Sequence, residues 1–148
     1  MSLEERMRNP TTKLKISGAG IEFRKALKTD YENIRQFLAE NGWEKRVADA
    51  EKFRRMMENA SRTIVAFENN RVVGFARALC DDVSNGYIGT VAVAEDFRRQ
   101  GVGRELVERL IGDDRNITWV LRAGRGSRKF WKKMGFNVSE VAMEKTRI

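Results

Sequence analysis

The sequence predicts an α+β fold, a mixed and mostly antiparallel β-sheet flanked by helices in the order β-α-α-β-β-β-α-β-α-β. Three observations carry that reading. Apolar residues recur at helical spacing near 31–38, 46–59 and 102–111. Between them, residues 62–68, 71–79 and 87–93 are runs of β-branched and aromatic residues broken by short turns, the pattern of a meander. A strand-helix-strand unit then follows the third run, and such a connection brings in a parallel pair.

Residues 1–20 are polar and irregular and end in Gly18-Ala19-Gly20, so they are set aside as a flexible N-terminal arm before one domain over 21–148. IEFRKAL (21–27) is the first strand. Thr29-Asp30-Tyr31-Glu32 has the spacing of a capping box, with Thr29 as cap and Glu32 reaching back. Tyr31, Ile34, Phe37 and Leu38 give the next helix one apolar face, and Asn41-Gly42 ends it. Ala50, Phe53 and Met57 mark a second helix near 46–59. Asn69-Asn70 suits a hairpin turn between RTIVAFE and RVVGFARAL, and YIGTVAV completes the meander after a loop over 81–86. Val102, Leu106, Val107, Leu110 and Ile111 line one helix face. ITWVLRA (117–123) is a strand, 127–134 a short helix stopped by Gly135, and 136–148 a closing strand.

Composition removes several chemistries. The 148 residues contain no histidine and a single cysteine, Cys80. Ser-His-Asp and Cys-His hydrolases are excluded, and so are the usual zinc ligands and an intramolecular disulfide. No apolar run approaches the roughly 18 residues of a membrane span, and the N-terminus lacks a secretory core, which gives the expectation of a cytoplasmic protein. The formal charge of +8 favours a polyanionic partner: nucleic acid, an anionic membrane surface or a phosphorylated cofactor.

FRRQGVGRELVERL (97–110) narrows that choice. A helix start leaves backbone N–H groups without partners and is partly positive, so it attracts anions. Gly101 and Gly103 present bare backbone there, and Arg98, Arg99 and Arg104 add charge, together a cradle for a pyrophosphate. A strand-to-helix turn with glycines for geometry and arginines for solubility accounts for the same residues. Walker and Rossmann signatures do not fit, because the first is missing and the second needs glycine where Leu106 stands.

Val91-Ala92-Val93 followed by Arg98-Arg99-Gln100-Gly101-Val102-Gly103 resembles the GNAT acyltransferase superfamily, in which a strand runs into Arg/Gln-x-x-Gly-x-Gly/Ala and a helix. FWKKMGF (130–136) is similar to that family's second marker, Phe-Tyr-x-Lys-x-Gly-Phe. EFRKALKTDY resembles its first strand and helix start, so the likeness spans 21–148. The resemblance implies an N-acetyltransferase that moves the acetyl group of acetyl-CoA to a primary amine of a small molecule or peptide in a ternary complex. It places the pantetheine along Val91, Ala92 and Val93, and the pyrophosphate on Arg98, Arg99, Gln100, Gly101, Val102, Gly103 and Arg104. Trp131 and Lys133 fall in the second marker and complete the cofactor set. An N–H near Val91 is implied as an oxyanion donor.

This chain departs from the family's pattern at three points. Trp131 stands where many members carry a tyrosine acid, Gly124 where an asparagine is frequent, and Thr90 and Val91 near the position of a carboxylate. Tyr87 is the nearest replacement acid, and Asp81 and Asp82 are the candidate bases, although a solvated acidic turn explains the pair as well. Trp43, Glu44 and Arg46 occupy the region that forms the acceptor pocket in such proteins. Residues 122–133 hold six basic residues and no acidic one, a face for the cofactor's phosphates or for solvent. Phe130 and Met134 read as core, and Cys80 as a small apolar residue. Two other functions stay open: a catalytically weak CoA-binding protein with this fold, and a basic nucleic-acid-binding module. The second is disfavoured, since no row of paired aromatics, helix-turn-helix or metal framework appears. No metal and no membrane partner is expected, and a homodimer is compatible with the reading.

Overall fold

Asn69 and Asn70 both adopt left-handed backbone, with φ of 46° and 66°. A two-residue loop of that shape matches the twist of the strands it joins, and asparagine tolerates it better than most side chains. It links β3 (Arg62–Glu68) to β4 (Arg71–Cys80), which in turn pairs with β5 (Asn85–Val93) as the third strand of the expected meander.

The computed structural model describes residues 12–16, 19–124 and 126–148. Its sheet has six strands in chain order: β1 (Thr12–Ile16), β2 (Ala19–Arg24), β3, β4, β5 and β6 (Thr118–Leu121). Neighbours pair antiparallel except β5 and β6, which are parallel. The α+β class with a mixed, mostly antiparallel sheet is therefore the observed one. Strand β1 falls inside the segment read as an arm, where it pairs with β2; residues 1–11 lie outside the described residues.

Among the described residues five α-helices flank the sheet: α1 (Tyr31–Leu38), α2 (Glu44–Val47), α3 (Ala50–Glu58), α4 (Val102–Ile111) and α5 (Arg128–Lys133). Helix α4 lies on β3, β4 and β5. Gly74 makes that approach close, because a Cβ there would stand 2.9 Å from Leu106 Cδ1 and 3.2 Å from Val102 Cγ1. The next residue, Phe75, points to the opposite face, is fully buried, and lies on the side that α1 covers with Ile34, Phe37 and Leu38.

Three local expectations are corrected. The capping box is not built from Thr29 and Glu32. Asp30 takes that role: its Oδ2 accepts from Leu27 N–H at 2.7 Å, while Arg24 holds both carboxylate oxygens at 2.6 and 3.0 Å. Glu32 instead pairs with Arg35. The second helix is interrupted, since Asp49 caps α3 by accepting from Lys52 N–H at 3.0 Å and so ends α2 before it. The closing strand over 136–148 does not form. Ser139 Oγ there accepts from the N–H groups of Val141 and Ala142, a local turn that competes with a sheet ladder. Val141 and Met143 are left exposed.

One ion pair sits deep in the α4 face. Arg109 is 1% exposed, donates from Nε to Glu105 Oε1 at 2.9 Å, and lies 5.0 Å from the Phe23 ring centre. Removing the carboxylate leaves a buried guanidinium without its counter-charge, so Glu105→Ala should lower unfolding free energy by about 3–5 kcal/mol. Chemical denaturation monitored by tryptophan fluorescence measures it.

Candidate active site

Below the C-terminal end of β5 the chain makes one tight turn, Glu95–Phe97, and then reverses into α4. Two left-handed residues produce that reversal, Arg99 (φ 63°) and Gly101 (φ 87°). Nothing lies within 4 Å of a Cβ placed on Gly101, so the glycine serves the backbone conformation and keeps the surface there open. Gly103 has a different reason. A Cβ on it would meet the Phe130 ring at 3.3 Å, so its absence lets α5 close on α4.

The loop is pinned from its own side chains. Gln100 Nε2 donates to Asp96 O at 3.0 Å, and Arg98 Nε donates to Val93 O at 3.1 Å. Arg71 pairs with Asp96 beneath, and that guanidinium holds the Asp96 carboxyl below the usual carboxylate range. The fixed bend presents the first turn of α4, whose N–H groups have no intrahelical partner.

Pairing between β5 and β6 stops at Ile88 and Leu121. Residues 89–93 of β5 therefore keep a free edge toward α5. A bulge adds to the opening: Arg77 pairs with Thr90 and Ala78 with Ile88, which leaves Gly89 as the extra residue. Along this edge runs a groove of about 710 Å³. Val91, Ala92 and Val93 line it at one end, and Arg98, Arg99, Gly101, Gly103 and Arg104 at the other. Lys133, Phe130 and Met134 of the α5 region close the far side, so the two residues read as core also form wall.

Three expected members stand elsewhere. Val102 is fully buried under Gly74, and only its main chain is at the loop. Gln100 is committed to Asp96 O. Trp131 is 8% exposed, packed edge-on between Phe130 and Phe136 at 4.9 and 5.2 Å.

A second cavity of about 450 Å³ continues from the groove. Trp43, Val91 and Ser127 border both. Tyr87, Gly89 and Thr90 of β5 form its floor, Trp131 and Leu121 one wall, and Gly42, Trp43 and Arg46 the other. Tyr87 thus lines the same cavity as Trp43 and Arg46, while Glu44 is not among its lining residues. None of the described lining residues is a carboxylate. No functional motif marked Ser127, which borders both cavities, or Asn41, which the α1–α2 bend brings to the groove; Arg77 lines neither, and the β4–β5 register sets it beside the floor residues Gly89 and Thr90.

Asp81 and Asp82 do not reach this cavity. Asp81 staples the β4–β5 turn, its Oδ1 accepting from the N–H groups of Val83, Ser84 and Asn85 and its Oδ2 from the Ser84 hydroxyl. Those donors hold its carboxyl far below the ordinary range, which makes it a weak base. Asp82 pairs with Arg62 at 2.8 Å, and Arg62 in turn donates to Leu110 and Ile111 carbonyls at the end of α4. Cys80 accepts at Sγ from Asp82 N–H and lines neither cavity.

The chain matches the family model described as acetyltransferase (GNAT) family over residues 23–136. It is 31% identical over 128 residues to the uncharacterized N-acetyltransferase ycf52 of Pyropia yezoensis, covering 78% of this chain and 72% of that one. Among solved structures it superposes on the GNAT family protein SP0256 of Streptococcus pneumoniae with a TM-score of 0.68 at 19% identity, covering 86% and 96% of the two chains. The aminoglycoside N-acetyltransferase AAC(6')-Iy, solved in complex with CoA, gives 0.65 at 18% identity over 90% and 99%. A glycine-rich bend at the foot of a free β-edge, and a sequence match running through both, place this chain in the acetyltransferase (GNAT) family.

Proposed function

We propose that this protein transfers the acetyl group of acetyl-CoA to a primary amine by direct attack in a ternary complex. The observation that carries the reading is the continuity of the two cavities along the free edge of β5, from the basic bend at 98–104 to Tyr87. A diphosphate fits the bend on chemical grounds: unpartnered helix N–H groups, three arginines and a backbone without side chains at Gly101. An extended amide-bearing arm fits the edge, because main-chain groups over 89–92 face it in the manner of an added strand, the Val93 carbonyl being taken by Arg98. When bound, the thioester supplies the activated acetyl carbon.

Each nearby residue then has one task. Main-chain N–H groups near Val91 donate to the carbonyl oxygen as negative charge builds on it. The Tyr87 hydroxyl, on the cavity floor, donates a proton to the departing sulfur, the role that Trp131 cannot perform because an indole N–H does not ionise usefully. Trp131 serves as wall and excludes water. With no carboxylate or histidine among the described lining residues, the attacking amine loses its proton to solvent.

Titration calorimetry with acetyl-CoA tests the foundation: binding is expected at micromolar concentrations, and a flat isotherm at high micromolar ligand ends the proposal. Gly101→Val forces a β-branched residue to φ near 87° and should weaken that binding by about 10-fold. Thiol release across an amine panel separates an enzyme from a protein that merely holds CoA. In that assay Tyr87→Phe should lower kcat by about 10²-fold with little change in KM. The pH profile of kcat/KM should rise to the acceptor's own pKa with no inflection from the protein near neutrality. Asp81→Ala should leave that profile unchanged while lowering Tm.

A further inference from the structure

Arg77 is the one part-buried guanidinium in the described protein that has no acid beside it. Arg24, Arg35, Arg62 and Arg109 are likewise withdrawn from solvent, and each holds a carboxylate: Asp30, Glu32, Asp82 and Glu105. Arg77 has only the Thr90 hydroxyl, to which Nε donates at 3.3 Å. Burial pushes its guanidinium below the ordinary arginine value, offset in part by the Tyr87 phenol. An unpaired charge in such a place is costly unless something supplies the opposite sign.

Its position says where that partner comes from. Arg77 faces Thr90 across the β4–β5 register, on the sheet face opposite α4, and its Nη2 stands 2.5 Å from where a Gly89 Cβ would be. The glycine at the bulge therefore makes room for this guanidinium. Gly89, Thr90 and Tyr87 are the floor of the acceptor cavity. Arg77 is not itself a lining residue but stands directly against Gly89 and Thr90 of that floor. The charged side chains that line the cavity are Arg46, which lies 5.3 Å over Trp43, and Arg122, which is already paired with Glu144. A polycationic amine finds no counter-charge among the described lining residues, whereas an oxyanion finds Arg46 at the rim and Arg77 beside the floor.

We propose that the acceptor is a small amine carrying an oxyanion, a carboxylate or a phosphate, and that Arg77 binds that group while Arg46 draws it in past Trp43. The idea rests on the acetyltransferase reading and deepens it by naming the acceptor class. Arg77 is a specificity residue in this scheme; it holds the acceptor by the end that does not react.

Matched probes separate the chemistry from its sources. β-Alanine against β-alaninamide reads a carboxylate, 2-aminoethyl phosphate against 3-aminopropanol reads a phosphate, and spermidine reads a polycation. Calorimetry on the protein saturated with CoA should show the anionic member of at least one pair binding about 10-fold or more tighter than its neutral partner. Arg77→Met should abolish that preference without lowering Tm, since it removes a buried charge that lacks a partner. Arg77→Lys should restore part of it. Should Arg77→Met fail to fold, Arg77→Gln carries the same test: loss of the preference there supports the assignment, and its persistence overturns it. Equal binding of the paired probes, tighter binding of spermidine, or no binding of any anionic probe to the CoA complex overturns the proposal and leaves the transferase reading intact. A protein that does not bind CoA at all would remove both.

Discussion

The site exists because β5 has a partner on one side for only part of its length. Parallel pairing with β6 covers four residues of each strand and then ends, while antiparallel pairing with β4 continues to Val93. A strand held firmly on one edge and free on the other presents fixed main-chain donors and acceptors without collapsing, which is what an extended ligand needs. Elsewhere such an edge invites unwanted association. Here residues of α5 and of the bend at 98–101 line the groove across from it. The bulge at Gly89 belongs to the same arrangement, because it turns the strand where pairing with β6 is lost and lets Arg77 settle over the vacated position.

Charge is distributed with equal economy. Acidic residues near the sheet are tied up in structural duties, with Asp30 on Arg24, Asp81 in its turn, Asp82 on Arg62, Asp96 on Arg71 and Glu105 on Arg109. What remains around the two cavities is positive. For Asp30 and Asp96 the folded carboxyl titrates below its unfolded value, so each adds stability above the ordinary carboxylate range and loses it as pH falls through the lowered value. The same pairings keep these groups out of catalysis. A site assembled this way attracts anions at both ends and offers no strong base at neutral pH.

Much of this was legible in the residues themselves. The Asn69-Asn70 turn, the apolar stripe of α4 and the bend at 98–104 are set by local backbone preference and by spacing, and each lies where the sequence placed it. Family likeness ran through the same stretches. What failed depended on contacts across the chain. Thr29 had the right spacing for a cap, but Asp30 won because Arg24 on the adjacent strand fixes its carboxylate. Asp81 and Asp82 looked available because sequence cannot show a turn consuming one and Arg62 the other. Gly103 was read as ligand clearance; it does line the groove, but its closeness to Phe130 is a second reason that only the packed helices reveal. Arg77 drew no notice, since its meaning lies in an absent carboxylate that only the folded register reveals.

Trp131 shows how a lost side chain can alter chemistry without altering shape. Its ring is clamped edge-on by Phe130 and Phe136, and it fills the wall between Leu121 and Ser127 at the cavity. A tyrosine there would bring a hydroxyl to the departing sulfur; the indole brings only bulk and a donor that keeps its proton. The nearest ionisable hydroxyl lining the cavity is then Tyr87, on the floor rather than the wall, and on the face where Arg77 stands. In the proposed scheme proton delivery and recognition of the acceptor would share one corner of the sheet. An oxyanion bound beside Arg77 would then lie close to the Tyr87 phenol, so in that scheme the acceptor's remote end and the proton donor would be electrostatic neighbours.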